Sequence, residues 1–309
     1  RSGLPLSGPQ DPSWTGGSTV REKKRTKRKQ KVSRDWTKLK LVVCGALVLA
    51  ILLTAVLAPY ITPYDPYEQD LGRALLAPCR EYLLGTDRYG RDMLSRVIMG
   101  ARTSVFSAVF LVLIITVTGS MVGTVCGYHG GKLDTFLMRV SDVFLAFPGM
   151  VFAIAAASVL KGGLFGAVAA LALISWPKYA RIVRSQVMSI KNAPYIEAAR
   201  LAGSGTGKII LKHMIPNIAG PVVTTAVLDI GTMMMEIAGL SFLGLGAMPP
   251  AAEWGSMMSN GRSMLQTSPW VILAPGCAIF LTVIVFNLLG DTVRDLLDPR
   301  QRKKEELPL

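Results

Sequence analysis

Long apolar runs restrict this chain to one kind of solvent. Leu39–Ala58 carries no charge after Lys40 and stops at Pro59. As a helix rising 1.5 Å per residue, such a run is about 30 Å long, the thickness of the hydrocarbon core of a bilayer. Five more runs follow: Thr103–Gly127, Phe136–Leu160, Leu164–Trp176 continuing toward Met188, Ile218–Gly246 and Val271–Gly290. Lipid offers no hydrogen-bond partner to the backbone, so a run that crosses it has to satisfy its own N–H and C=O groups. The expected fold class is all-α, a polytopic membrane protein with about six transmembrane helices. Pro148 and Pro177 interrupt the third and fourth runs, and Asp142 lies inside the third. Neighbouring helices can rescue the carbonyl that a proline frees.

Half the residues are hydrophobic, yet the net charge is +14. A basic excess can signal nucleic acid. Here the Lys and Arg sit in flanks and loops around apolar runs, so the expected partner is the lipid bilayer and no nucleic acid. Cys44, Cys79, Cys126 and Cys277 are far apart, without a CxxC pair or a nearby His at ligand spacing. No metal site is expected from them.

The Lys/Arg distribution gives an orientation. With the N-terminus in the cytosol, residues 1–40, 128–140, 177–212 and 291–309 hold 26 of the 34 basic residues, against eight on the other side. That satisfies the positive-inside rule, with both termini cytosolic and a multi-pass location in a cell membrane. The chain then divides into a disordered basic cytosolic tail (1–38), a first transmembrane helix (39–58), an extracytoplasmic loop (59–102), a core of five transmembrane helices (103–290) and a cytosolic tail (291–309). The first run is too long for a secretory signal, and Pro59 would block cleavage after Ala58.

Inside the core, residues 190–217 form a polar loop that includes EAARLAGSGTGKIILKHMIPN. Asn192 is placed to cap a helix with Pro194 in its first turn. Tyr195, Ile196, Ala199 and Ala202 recur at helical spacing, and Gly203 can end the helix with positive φ. The result is a short amphipathic helix, suited to lying in a groove of a partner or to being an ordinary capped loop. Glu197 stands near its N-terminus, where the helix dipole favours a negative charge. Ala202–Ile209 reads AGSGTGKI, near a phosphate-cradling GxxxxGK[ST] loop. It lacks the first Gly, has Ile209 where a hydroxyl would meet Mg²⁺, and follows a helix rather than a strand. Nucleotide binding by this chain is not expected.

That loop resembles the "EAA" loop of ABC-transporter permeases, through Glu197, Ala198, Ala199, Gly203, Ile215 and Pro216. His213 and Asn217 complete an H-x-[LI]-P-N ending that looks like the peptide/nickel branch. LGTDRYGRDMLSRVIMGAR (84–102), GLSFLGLGAMPPAAEWG (239–255) and NLLGDTVRDLLDPR (287–300) resemble the same branch in the same order. The resemblance implies a "C-type" permease of dipeptide, oligopeptide or nickel importers, with a type I importer fold and a cytosolic coupling helix in a bacterial inner membrane. It implies a second homologous permease subunit, two ATP-binding subunits that hold ATP and Mg²⁺, and an extracytoplasmic solute-binding protein. It implies no cofactor on this chain, and a coupling role for Glu197, Ala198, Ala199, Gly203, His213, Pro216 and Asn217.

Asp229 and Glu236 lie seven residues apart in the fifth run, on one helical face. Charges there are costly and mark either a translocation path or gate, or a structural pair at the interface between permeases. A stand-alone secondary transporter or channel using these carboxylates as cation sites is the alternative of another class. Asp87, Arg88, Arg91 and Asp92 form either a self-paired turn or a lid that meets a binding protein. Met233–Met235 are read as packing residues. His129 and His213 are isolated, and no constellation for catalysis is present.

Overall fold

The structure is a computed structural model that describes residues 16–160 and 162–297. Among the described residues ten α-helices run in chain order: α1 (Gly16–Ile61), α2 (Met93–His129), α3 (Gly131–Ala146), α4 (Gly149–Val159), α5 (Gly163–Ile190), α6 (Pro194–Leu201), α7 (Thr206–Ile209), α8 (Ile215–Phe242), α9 (Trp254–Gly261) and α10 (Trp270–Leu297). Five segments are long and apolar enough to cross a bilayer, and the bent pair α3–α4 makes up to six. No strand occurs among the described residues.

Element ends differ from the sequence reading for identifiable reasons. α1 runs back from its apolar part, Lys38–Ile61, to Gly16. Most of the stretch read as a disordered tail therefore continues the helix. Lys, Arg, Gln and Glu are good helix formers, and a helix once nucleated in the apolar part extends at low cost. Residues 1–15 and 298–309, the outer parts of the two expected tails, lie outside the described residues. α2 begins ten residues before the apolar run, because Asp92 caps it by accepting a hydrogen bond from the Ser95 N–H at 2.8 Å. The third run is two helices meeting at 96°. Pro148 pushes Phe147 into extended backbone (φ −95°, ψ 148°), which ends α3.

Packing rests on close backbone approach. Gly119, Gly123 and Gly127 recur every fourth residue on one face of α2, against α5. A Cβ on Gly119 would lie 2.6 Å from the Trp176 carbonyl, and one on Gly123 would lie 2.9 Å from Val183 Cβ. Small residues at this spacing let two membrane helices meet at their backbones. A second close pairing joins α8 to α10: Gly231 faces Val283 and Asn287, and Gly290 faces Leu228. The core between these pairs holds Leu111, Ile115, Leu171, Ile237 and Leu240, all buried.

Gly123→Ala should therefore overpack the α2–α5 seam and cost about 1–3 kcal/mol. Gly220→Ala, whose added Cβ meets only Leu297 at 3.9 Å, should be close to neutral. Thermal unfolding of the two variants in detergent checks the difference.

Candidate functional site

The polar loop sits at the end of the bundle where α2 and α10 finish and α8 begins. Its first helix, α6, starts with Pro194, and the cap is Ala193 with extended backbone (φ −68°, ψ 146°). Asn192 is not the cap. A residue before proline is driven to extended backbone, so the helix boundary falls on residue 193. Ile196 is fully buried and pins α6 to the bundle, with Ile209 and Met214 pinning the segment that follows. Arg200 lies 5.7 Å from the centre of the Tyr128 ring at the end of α2. Glu197, in the first turn, and Ala198 face solvent, Ala199 is half-buried, and Leu201 is 90% exposed. Gly203 adopts φ +75°, and the Ser204 N–H returns to the Ala199 carbonyl at 3.0 Å. Gly203 thus closes α6 in a conformation that disfavours any side chain.

Beyond α7 the chain takes one π turn, Ile210–Met214, before α8. Pro216 has no N–H to give the preceding turn, and the wider turn accommodates the loss. The Ile215 N–H reaches the Ile210 carbonyl, and the Asn217 amide donates to the His213 carbonyl at 2.6 Å. His213 is half-buried and Pro216 exposed. Ala202–Gly205 is the turn between α6 and α7, and Thr206–Ile209 is α7 itself, so a helix and not a strand precedes this stretch.

About midway along α8, Asp229 is buried and takes two hydrogen bonds from Lys178 Nζ, at 2.7 and 2.9 Å. The Tyr179 hydroxyl donates a third at 3.0 Å. Lys178 is about half exposed. Glu236 is half-buried on the same face of α8, without a salt bridge among the described residues. α5 carries two further cations at three-residue steps. Arg181 pairs with Asp142, and Arg184 grips Asp134 through two hydrogen bonds of 2.5 and 2.6 Å, both acids lying on α3. The Lys/Arg distribution places Lys178, Arg181 and Arg184 on the cytosolic side, in 177–212, although the fourth run continues toward Met188. α5 continues through Pro177. The readable signal was the i, i+3, i+6 spacing opposite two acids eight residues, about two turns, apart.

At the opposite end of the bundle, residues 84–102 fold as a self-paired turn leading into α2. Asp87 takes hydrogen bonds from Arg91 Nε (2.7 Å) and from the backbone N–H groups of Tyr89 and Arg91. Arg96, buried beside them, donates to the Pro66 carbonyl at 2.8 Å. Arg88 is exposed and stacks on Tyr89, 4.7 Å from the ring centre. Sequence reasoning missed the next device. Glu253 caps α9 by accepting from the N–H groups of Gly255 (2.9 Å) and Ser256 (2.8 Å). Burial raises its carboxyl above the ordinary value, and those donors pull it partly back. Trp254 then donates its indole N–H to the Val97 carbonyl, and Trp270 donates to that of Thr86. These two bonds fasten residues 243–270 over the start of α2. Among the described residues no group of three His, Cys, Asp or Glu could hold a metal ion.

The chain matches two family models. Residues 117–303 fit the binding-protein-dependent transport system inner membrane component, and residues 38–78 fit the N-terminal TM domain of oligopeptide transport permease C. Among similar proteins, the dipeptide transport system permease protein DppC of Haemophilus influenzae is 39% identical over 262 residues, covering 83% of this chain and 89% of the relative. The nickel transport system permease protein NikC of Escherichia coli K12 is 39% identical over 268 residues, 87% and 96% of the two chains. The glutathione transport system permease protein GsiD of Pectobacterium atrosepticum is 40% identical over 260 residues, 84% and 86% of the two chains. A solved chain of the MetNI methionine ABC transporter, at 19% identity, superposes with a TM-score of 0.54 over 67% of this chain and 98% of its own. That likeness shows the fold. The chain belongs to the family of binding-protein-dependent transport system inner membrane components, the multi-pass permeases of ABC importers.

Asp87→Asn should leave Arg91 and Arg96 buried without their shared counter-charge, at a cost of about 3–5 kcal/mol. Arg88→Ala, at the exposed tip, should change stability by less than about 0.5 kcal/mol. Melting temperatures of the purified variants check both.

Proposed function

We propose that this chain is one of two homologous permease subunits of an ATP-driven importer in a bacterial inner membrane and lines half of the translocation path. It performs no chemistry of its own. ATP and Mg²⁺ are held by two partner ATPase subunits, and an extracytoplasmic binding protein delivers the solute. Both termini and the 190–217 loop lie in the cytosol. The observation that carries the reading is α6: one buried side chain, Ile196, ties it to the bundle, while Glu197, Ala198 and Leu201 are left uncovered. Such a helix fits a groove in a soluble partner. Glu197, Ala198, Ala199 and Gly203 form the docking element, and His213, Pro216 and Asn217 set the turn that passes its displacement into α8. When the ATPases close, α6 moves with them and biases the spans between two openings.

Asp229 and Glu236 belong to the path or its gate. A lysine about half exposed in mid-span is unfavourable against acyl chains, so the Lys178–Asp229 face meets a water-filled path or a partner subunit. Di- or oligopeptides are the substrate class favoured by the relatives named for dipeptide and glutathione transport. The relative named for nickel transport, at comparable identity, makes nickel or a metal chelate the second reading.

Gly203→Val places a β-branched residue at positive φ and should unwind the end of α6. Glu197→Arg reverses the charge on its uncovered face. In the assembled importer each should lower ATP-driven uptake by about tenfold or more, within the range of typical coupling energies, while the chain still inserts. Uptake at the unaltered rate in both variants would contradict the docking role.

A further inference from the structure

α5 leads into the polar loop and α8 leads out of it, yet each packs chiefly on a different neighbour. α5 lies along the glycine face of α2, and α8 lies along α10. The Lys178–Asp229 pair is the one salt bridge that joins α5 to α8 among the described residues. Its position is symmetric with respect to the loop. Lys178 stands twelve residues before the end of α5 and Asp229 fourteen after the start of α8, which places the pair about 18–21 Å along each arm. The Tyr179 hydroxyl braces the same carboxylate, and Tyr179 is fully buried against Gly119 of α2. One carboxylate on α8 is therefore held by two consecutive residues of α5, one charged and half exposed, the other neutral and enclosed.

We propose that Asp229, with Lys178 and Tyr179, is a positioning clamp that makes α5 and α8 move as one body when the 190–217 loop is displaced. The inference deepens the coupling role assigned to that loop and rests on it. Without the clamp, a push on α6 can be absorbed by sliding between the α2/α5 and α8/α10 pairs, and ATP is then spent without opening the path. With it, both arms of the loop transmit the same displacement. The clamp stays closed through the cycle, so Asp229 can border the path but is not a gate that parts from α5.

The test uses the assembled importer in proteoliposomes, with the ratio of solute imported to ATP hydrolysed as the readout. Asp229→Asn should lower that ratio by about fivefold or more, the lower end of typical coupling, with hydrolysis retained. The exchange Lys178→Asp with Asp229→Lys should restore at least half of it. A merely structural carboxylate would lower the amount of assembled complex and leave the ratio intact, and that result overturns the clamp. In a version with the four native cysteines replaced, Lys178→Cys with Asp229→Cys, joined by a short bismaleimide after assembly, should keep importing. Import abolished by the cross-link would show that the helices must part there and would also overturn it. Failure of the docking reading is separate: Gly203→Val and Glu197→Arg would then leave ATP-driven uptake unaltered in a complex that keeps the native Lys178 and Asp229.

Discussion

A charge drawn out of water must bring its counter-charge, and that requirement shapes how α5 is held in this bundle. Lys178, Arg181 and Arg184 stand on one helix and each meets an aspartate: Asp229 on α8, Asp142 and Asp134 on α3. The pairs fix which helices are neighbours. α3 makes few buried contacts of its own, with only Asp134 and Ser141 enclosed, and its two aspartates bind it to α5. Breaking the pair at the buried Asp229 or at Asp134 strands the partner charge, which is costly.

The second constraint is steric. The α2–α5 seam is open only to glycine at three positions, so these two helices have one register. A close seam holds α2 to α5, and the ion pairs hold α5 to α3 and α8. The loop at one end and the sealed cap at the other, fastened by Trp254 and Trp270, lie at opposite poles of the bundle. On the proposed function, force enters at the pole of the loop and solute at the pole of the cap.

The number and type of spans were legible because length and apolarity decide them almost alone. Gly203 was legible because a helix end followed by a polar segment demands positive φ. Other features were hidden by the same rules. The start of α2 was hidden because it lies ten residues before the apolar run, and Arg96 in its first turn is buried beside Asp87. Pro177 was legible as an interruption, and α5 passes through it toward Met188 and carries Lys178, Arg181 and Arg184 on the same helix. Pro148 was legible as an interruption, but its angle depends on packing that sequence does not state. The partner of Asp229 is some fifty residues away, and no local spacing announces it. The role of Gly119, Gly123 and Gly127 was not read from the sequence, because the helix they meet is fixed only by the fold.

Purified permeases reconstituted into vesicles, with and without the ATPase subunits, test the central claim most directly. Solute uptake should require the ATPases together with ATP and Mg²⁺, and should be absent from vesicles that hold this chain alone or with its homologous partner. Uptake by this chain with no nucleotide-hydrolysing subunit present would contradict the account.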